Sequence, residues 1–426
     1  MGAVEKVPLF SRPTEWIAFF FALTLLFVFN LLYHYHHYRT FTQNPFLRLD
    51  ATILNQYVKH NKQGRPYTVL KLQSGHLTFY TTSREDLRPL KGREISLTLI
   101  TKSIPFYRYL GTFYAPSFNL ELLPKNPSFK AEAVARVTGQ HDDPVAANLY
   151  AALFFAEPVG KALREKISDF GISHLIALSG YHLGFLGGIL WLLFRWPYTF
   201  LQQRFFPYRN RRFDLAFFSA LLLLGYMLFT GSPPSLLRAY GMLVVGFFLF
   251  TRWIDLFSFG TLAVTITLLL ALFPSLLFSI GFWFSVAGVF YIYLFLHHFR
   301  HLHPVLILVL LNFFIFAAML PVVHSVFEKF TFYQLLSPLL SLLFALFYPA
   351  AILLHLIGQG SLLDPGVAWL FDTEMTRLEL SVSLPFLLFY CLLSLLATLN
   401  RHYFYIYLAG LSGFVIIAAQ QAASAF

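Results

Sequence analysis

The chain is a succession of apolar runs, each long enough to cross a bilayer. Between residues 173 and 420 they fall near 173–194, 213–230, 235–251, 255–273, 275–296, 304–323, 332–356, 382–399 and 402–420, and one more covers Trp16–Tyr33. A helix rises about 1.5 Å per residue, so about 20 apolar residues cross a hydrocarbon core about 30 Å thick. Peptide groups in lipid must bond to one another, and runs of this length do so as helices. Composition agrees: 57% of the 426 residues are hydrophobic and 12% charged, against about 45–50% and about 25% in soluble domains. The pattern predicts a polytopic α-helical membrane protein with about ten transmembrane helices. It excludes a soluble enzyme. Cys391 is the single cysteine, which excludes an intramolecular disulfide.

The first run follows Lys6 and Arg12 and leads into YHYHHY (33–38) without a small-residue cleavage site. It reads as an uncleaved anchor, residues 1–44, with its N-terminus in the cytoplasm. Arg195–Arg212 holds five arginines and no acid, which places that loop in the cytoplasm too. What lies between is then extracytoplasmic, and Gly171–Phe194 returns inward. Farther on, Lys and Arg are too few to set orientation, and the acidic, amphipathic stretch Leu362–Glu379 fits either surface.

Residues 45–123 break the pattern. Charge rises and the hydrophobic period becomes 2. Tyr67–Leu72, His76–Thr82 and Glu94–Thr101 read as short strands, with Ser74-Gly75 turning the first into the second. Several short strands in so few residues predict a small extracytoplasmic β-barrel, OB-like, inserted after the first helix. Ten Lys and Arg against four Asp and Glu lie between Pro45 and Pro105. Such a surface is either a solvated β-face or a docking face for an anionic polymer. Lys62, Arg65, Tyr67, Lys71, Phe79, Tyr80, Arg84, Lys91 and Arg93 are the candidate contacts. Residues 130–170 are helical and only partly apolar, as expected of amphipathic helices lying on the membrane surface.

Two polar loci interrupt the membrane domain, residues 171–426. The first is GISHLIALSGYHLGFLGGILWLLFR (171–195), with Ser173, His174, Ser179 and His182 among Gly180, Gly184, Gly187 and Gly188. Polar groups in lipid need partners in protein or water, and glycines let backbones approach closely. Three readings fit: packing residues, the lining of a translocation path, or a Ser179/His182 hydrolase pair lacking an obvious acid. The second locus is TGSPPSLLR (230–238). Pro233-Pro234 ends one span, Ser235 can cap the next, and Arg238 sits about a turn inside it. An arginine there either snorkels to headgroups or meets an anion at a pore mouth.

Other chemistry is thin. His297, His298, His301 and His303 have no local carboxylate or thiolate, and Arg300 opposes a cation, so they read as a helix end and no metal is expected. No phosphate-binding G-x-x-x-x-G-K-[ST] loop occurs, so the chain is no ATP motor. No cofactor is expected.

GISHLIALSGYHLGFLGGILWLLFR resembles the segment GLSHLLAISGLHVG of the ComEC-type competence proteins. GSPPSLLRAYGML resembles their G-x-S-P-S-x-x-R-A-x-x-M, and FSIGFWFSVAGVF (278–290) their D-x-G-F-Q-L-S-F-x-A, with Phe278 and Trp283 in place of Asp and Gln. Upstream, Asn148–Gly171 is similar to the family's run into G-[LI]-S-H, and 45–123 corresponds to its OB-like domain. Longer members carry a C-terminal metallo-β-lactamase-like domain. This chain looks like the short form, so no nuclease or other enzymatic activity is expected of it.

The resemblance implies an inner-membrane channel that takes single-stranded DNA into the cytoplasm during natural transformation. His174, Ser179, Gly180, His182, Gly184, Ser235 and Arg238 would line the path. The implied partners are single-stranded DNA, the lipid bilayer, a periplasmic DNA receptor, and a cytoplasmic motor or single-strand-binding proteins; monomer and dimer both remain open. Outside the family, an intramembrane serine hydrolase and a transporter of another anionic polymer or lipid are the alternatives.

Overall fold

The computed structural model describes residues 12–423 except 62, 76, 84–89, 91, 103, 125–128, 252–257 and 374. The chain divides into two compact units. One holds Phe10–Ser128 and Val264–Ile280; the other holds Phe129–Ala263 and Gly281–Phe426.

The first unit opens with one helix, Pro13–Gln43, which continues ten residues past the end of its apolar run at Tyr33. No glycine or proline interrupts YHYHHYRTFTQ, and its last turns have a core to join. Phe41 is buried against Tyr109 and Phe113, with ring centroids 5.2 and 6.0 Å away, and the Tyr38 hydroxyl donates to the Ile104 carbonyl at 2.8 Å. Within the apolar stretch, the Asn30 amide donates to the Ala271 carbonyl of helix Phe259–Leu272.

A sheet of six strands follows: β1 (Phe46–His60), β2 (Pro66–Ser74), β3 (Leu77–Ser83), β4 (Glu94–Ile100), β5 (Thr112–Tyr114) and β6 (Ser117–Leu122), in the order β5-β3-β2-β1-β4-β6. The long β1 serves two neighbours. Phe46–Thr52 pairs with β4 and Thr52–His60 with β2, with a register shift between Ile53 and Asn55. β5 runs parallel to β3 and β6 antiparallel to β4. Only Ala115-Pro116 separates them, and the Ala115 N–H donates to Tyr80 while the Pro116 carbonyl accepts from Ile100. The stretch 112–122 thus joins the two outer strands of a four-stranded sheet. Ile53, Leu70, Leu72, Phe79, Ile95, Leu97, Leu99 and Phe113 fill the interior.

Sequence patterning found β2, β3 and β4 but not β1. Leu47, Leu49, Ala51 and Ile53 alternate inward, and the shift after Ile53 then breaks the period. A bulge carries an extra residue, so alternation fails on its far side.

The second unit is helical. Among the described residues, six helices are long and apolar enough to cross a membrane: Pro13–Gln43, Arg211–Phe229, Ile280–Phe299, Pro304–His324, Phe332–Leu356 and Arg401–Gln421. Their outer faces expose large apolar side chains, among them Phe21, Leu221, Leu308, Leu346 and Ile417. Such a surface is stable only in lipid, and the protein is a multi-pass membrane protein. Ser235–Phe248, Phe259–Leu272 and Leu384–Leu396 are shorter apolar helices.

Two hairpins organise this unit. Helices Phe129–Thr138 and Pro144–Phe155 form the first, closed by the Lys130–Glu157 ion pair at 2.9 Å. Asp143 caps the second helix, accepting from the amides of Val145 and Ala146. Pro144–Phe155 does not lie open on a surface: Leu149, Tyr150, Ala152 and Leu153 are buried among Phe344, Tyr348 and Val367. In the second hairpin the chain descends through helix Ser337–Leu356 and returns through Asp364–Phe371. Its ends meet in the antiparallel pair Lys329–Phe330 and Leu378–Glu379. Arg377 fastens this return to helix Lys161–Asp169, with its guanidinium 2.8 Å from Asp169 and 3.2 Å from Glu165. Those hydrogen bonds, Asp169 foremost, raise the Arg377 pKa above its ordinary value.

Candidate functional site

The expected continuous span 173–194 is broken. Ser173–Ile176 forms one helical turn, Ala177 is extended, and a helix begins again at Gly180 and runs to Phe205. The break has a local cause. Ser179 is extended and stands as the cap of the second helix, and His182 reaches back so that its Nδ1 accepts from the Ser179 N–H at 3.2 Å. A serine followed three residues later by an acceptor is a helix-start signal, here with histidine in the usual Glu or Gln place.

This geometry also fixes the chemistry of the Ser–His pair. An N–H only donates, so Nδ1 is the bare nitrogen of a neutral ring and Nε2 carries the hydrogen. The Ser179 hydroxyl lies 3.3 Å from the same Nδ1, in competition with the backbone amide. Nε2 is buried with no hydrogen-bond partner, and the ring stands edge-on to Tyr348 at 4.7 Å. Among the described residues no carboxylate bonds to His182. The pair builds a helix start.

Upstream, Gly171 turns the chain at φ +67 against Gln334 and Ser337. The Ser337 hydroxyl donates to the Gly171 carbonyl at 3.1 Å, and His174 Nε2 lies 3.4 Å from the Ser341 hydroxyl. Ser173, His174, Ala177, Gly180, Gly184 and Gly188 are all exposed. The last three repeat every four residues and so share one helix face. A Cβ on Gly184 or Gly188 would meet nothing within 4 Å. Gly187 packs more closely, with its place for a Cβ 3.5 Å from Leu223.

The second locus differs from expectation in one respect. Helix Arg211–Phe229 ends at Thr230, and Gly231 (φ +85) and Ser232 (φ +50) turn the chain. The next helix begins at Pro234, so Ser235 lies inside its first turn and is not its cap. Proline suits that first position because it has no N–H to lose. Arg238, one turn on, is half-buried. Its guanidinium lies over Gly281, where an added Cβ would sit 3.2 Å from Nη2, at the start of helix Ile280–Phe299. Its neighbour Ala239 lies by the start of helix Gly180–Phe205, 3.8 Å from the place of a Gly180 Cβ. Arg238 Nε is buried without a hydrogen-bond partner, and among the described residues no carboxylate pairs with this side chain. Helix starts present free N–H groups and a partial positive charge. A guanidinium beside one of them, at Gly281, makes an electropositive spot that no carboxylate among the described residues neutralises.

The β-sheet sorts the predicted nucleic-acid contacts. Paired residues share a face. Lys59 opposes Tyr67, Asn55 opposes Lys71, Lys71 opposes Tyr80, and Tyr80 opposes Tyr114. One face therefore carries Tyr57, Lys59, Tyr67, Lys71, Tyr80 and Tyr114, with Lys71 5.8 Å from the Tyr80 ring centre. Phe79 is a correction: it points to the other face, is fully buried, and stacks on Phe113 at 5.6 Å. Arg93 is turned inward in part, donating from Nη2 to the Leu123 carbonyl at 3.0 Å. Arg65 is exposed at the β1–β2 turn. Lys62, Arg84 and Lys91 lie outside the described residues. Sequence reading missed Tyr57, Lys59 and Tyr114; the first two sit two apart in β1, a period-2 signal hidden by the missed strand.

Two histidines of the 297–303 group are structural. His298 Nε2 meets the Ala397 carbonyl at 2.9 Å and its ring stacks on Phe404 at 4.0 Å, while His303 caps helix Pro304–His324. Among the described residues no group of three His, Cys, Asp or Glu could hold a metal ion.

No curated protein and no solved structure matches the chain. A family model described as Competence protein matches residues 157–420. That stretch covers more than half of the sequence and contains the broken helix, Arg238 and Gly281, and the chain belongs to the Competence protein family.

Proposed function

We propose that this protein is a channel that passes single-stranded DNA across the inner membrane into the cytoplasm during natural transformation. Membership of a family with a role in DNA uptake supports the reading. The observation that carries it is Arg238: a half-buried cation with no carboxylate partner among the described residues, set at a helix start inside the stretch the family model matches. A phosphate diester supplies what that spot lacks. The exposed polar face Ser173–Gly188 then lines the wet path beside it, because a helix can unwind in a membrane only where protein or water satisfies its backbone.

In this reading the bilayer is crossed by about ten helices, the shorter apolar ones included. The sheet is an OB-like domain on the extracytoplasmic side, and its basic, tyrosine-bearing face receives the strand. Positive charge holds phosphates, and aromatic rings stack on bases without sequence preference. A periplasmic receptor delivers the DNA, and a cytoplasmic motor or single-strand-binding proteins draw it in.

The test is a transformation assay with fluorescent donor DNA in a strain lacking the gene, complemented with Arg238→Ala, Arg238→Lys or the native chain. DNA should collect outside the inner membrane, with no transformants, in the deletion and in Arg238→Ala. Normal transformation by Arg238→Ala refutes the assignment of this residue; normal transformation by the deletion strain refutes the channel.

A further inference from the structure

The tips of the two hairpins meet through three titratable side chains that the channel reading does not use. His141 stands in the tip of the first hairpin, between Thr138 and Pro144. His355 ends the descending helix of the second, and Asp364 begins its return. His141 Nδ1 lies 2.9 and 3.0 Å from the two Asp364 carboxylate oxygens, and its Nε2 lies 2.9 Å from His355 Nε2. His355 Nδ1 lies 2.6 Å from the Ala351 carbonyl. The His141 side chain is fully buried and that of Asp364 is 15% exposed.

Donors and acceptors in this chain can be assigned in turn. A carbonyl only accepts, so His355 Nδ1 carries a hydrogen and its Nε2, in a neutral ring, is bare. His141 Nε2 must then donate to it. An ionised carboxylate also only accepts, so His141 Nδ1 donates as well. Both ring nitrogens of His141 are protonated, and the three groups together hold one proton more than a carboxylate and two neutral rings.

We propose that Asp364, His141 and His355 form a proton-binding site in which one shared proton clasps the two hairpin tips, and that losing it or adding another opens them. Without it, a lone pair faces either the carboxylate or the His355 lone pair. With one more, two N–H groups face each other across the His141–His355 contact.

The surroundings suit a held charge. The Tyr150 ring stacks on His141 at 4.6 Å and 11°, presenting its electron-rich face. Tyr150 is the other titratable group in the cluster, and its hydroxyl is buried without a partner. Asp143 is occupied as the cap of its own helix, and Asp142 is exposed. Gln140 bridges the same tips, donating to the His355 carbonyl and accepting from the Gly360 N–H at 2.9 Å. Gly360 leaves the room: a Cβ there would come within 2.7 Å of the His355 ring. Chains of Asp and His in membrane proteins are typical proton carriers.

The test uses the full-length protein in lipid nanodiscs, with Cys391→Ala and spin labels at Asp142→Cys and Leu362→Cys, both exposed positions at the two tips. Over about pH 5 to 9, a range that spans ordinary histidine titration, the short inter-label distance should dominate at an intermediate pH and give way to a longer one at both ends. A constant distance overturns the proposal. In the nitrogen-15 histidine spectrum of the unsubstituted protein at the closed pH, one ring should show both nitrogens protonated, and that signal should vanish in His141→Gln. If every ring shows a bare nitrogen, the proposal falls. Asp364→Asn should favour the long distance throughout, and if it does not fold, the two preceding measurements decide alone. DNA uptake is read separately: its loss from the channel reading leaves the proton response untouched.

Discussion

An arginine kept for an external anion should make its protein less stable and more active, and Arg238→Met separates the two effects. Methionine keeps much of the volume and removes the charge. Exchanging buried ion pairs for apolar residues of similar size is often neutral or stabilising by about 1–4 kcal/mol, and an ion without a partner has no Coulombic gain to lose. Arg238 is only half-buried, so the lower part of that range, about 1–2 kcal/mol, applies. For large domains 1 kcal/mol moves the melting temperature by about 2–4 °C, so purified Arg238→Met should melt about 2–8 °C higher in the absence of DNA. The same change deletes a charge-assisted hydrogen bond to phosphate, worth about 1.5–3 kcal/mol, and uptake should fall roughly 10- to 150-fold. Arg238→Lys should fall between, since it keeps the charge and loses the two-pronged donor geometry. The assay is thermal unfolding in detergent followed by intrinsic fluorescence, set beside transformation frequency. A lower melting temperature in Arg238→Met refutes the reasoning, because it would mean that the guanidinium has a partner inside the protein.

Further outcomes follow from the same physics. Asp169→Asn should destabilise by about 3 kcal/mol, because it strands Arg377 beside a buried site, whereas Glu165→Gln, at a half-exposed pair, should cost less than about 1 kcal/mol; thermal unfolding of the two variants side by side checks the contrast. Phe79→Ala should cost about 3–5 kcal/mol by opening the β-core. Tyr80→Ala and Tyr114→Ala should leave stability nearly intact and each weaken single-stranded DNA binding by about 1–3 kcal/mol, measured by fluorescence anisotropy with the full-length protein. Gly171→Ala should lose about 1–2 kcal/mol, since φ +67 is strained for any residue with a Cβ.

The sequence displayed the membrane architecture because apolar runs need no long-range information: each residue is apolar whatever it touches. The β-region was legible where turn residues punctuate it, as at Ser74-Gly75, and illegible where a bulge shifts the phase, as in β1. The break at Ala177–Ser179 lay in plain view as a serine followed three residues later by a histidine, but apolar neighbours on both sides argued for continuity. Phe79 and Tyr80 illustrate a further limit. Adjacent strand residues face opposite sides, so one had to be buried, and the register alone decides which. The clasp at the hairpin tips could not be read at all: His141, His355 and Asp364 are separated by 214 and 223 residues in the pairs that matter, and nothing local marks them as neighbours.

What distinguishes the functional polar groups from the structural ones is where their hydrogen bonds end. His298 ends on Ala397, Asp169 ends on Arg377, and Asn30 ends on Ala271. Each is closed within the chain, as burial requires. Arg238 is not closed, although burying an unpaired cation is among the costliest arrangements a protein can keep. The His141 cluster closes only with a proton that solution must supply. Both sites therefore require something from outside the polypeptide, in one case an anion and in the other a proton. An unpaired arginine held at a helix start does nothing for a fold that a methionine would not do better; its place there makes sense only if the anion arrives.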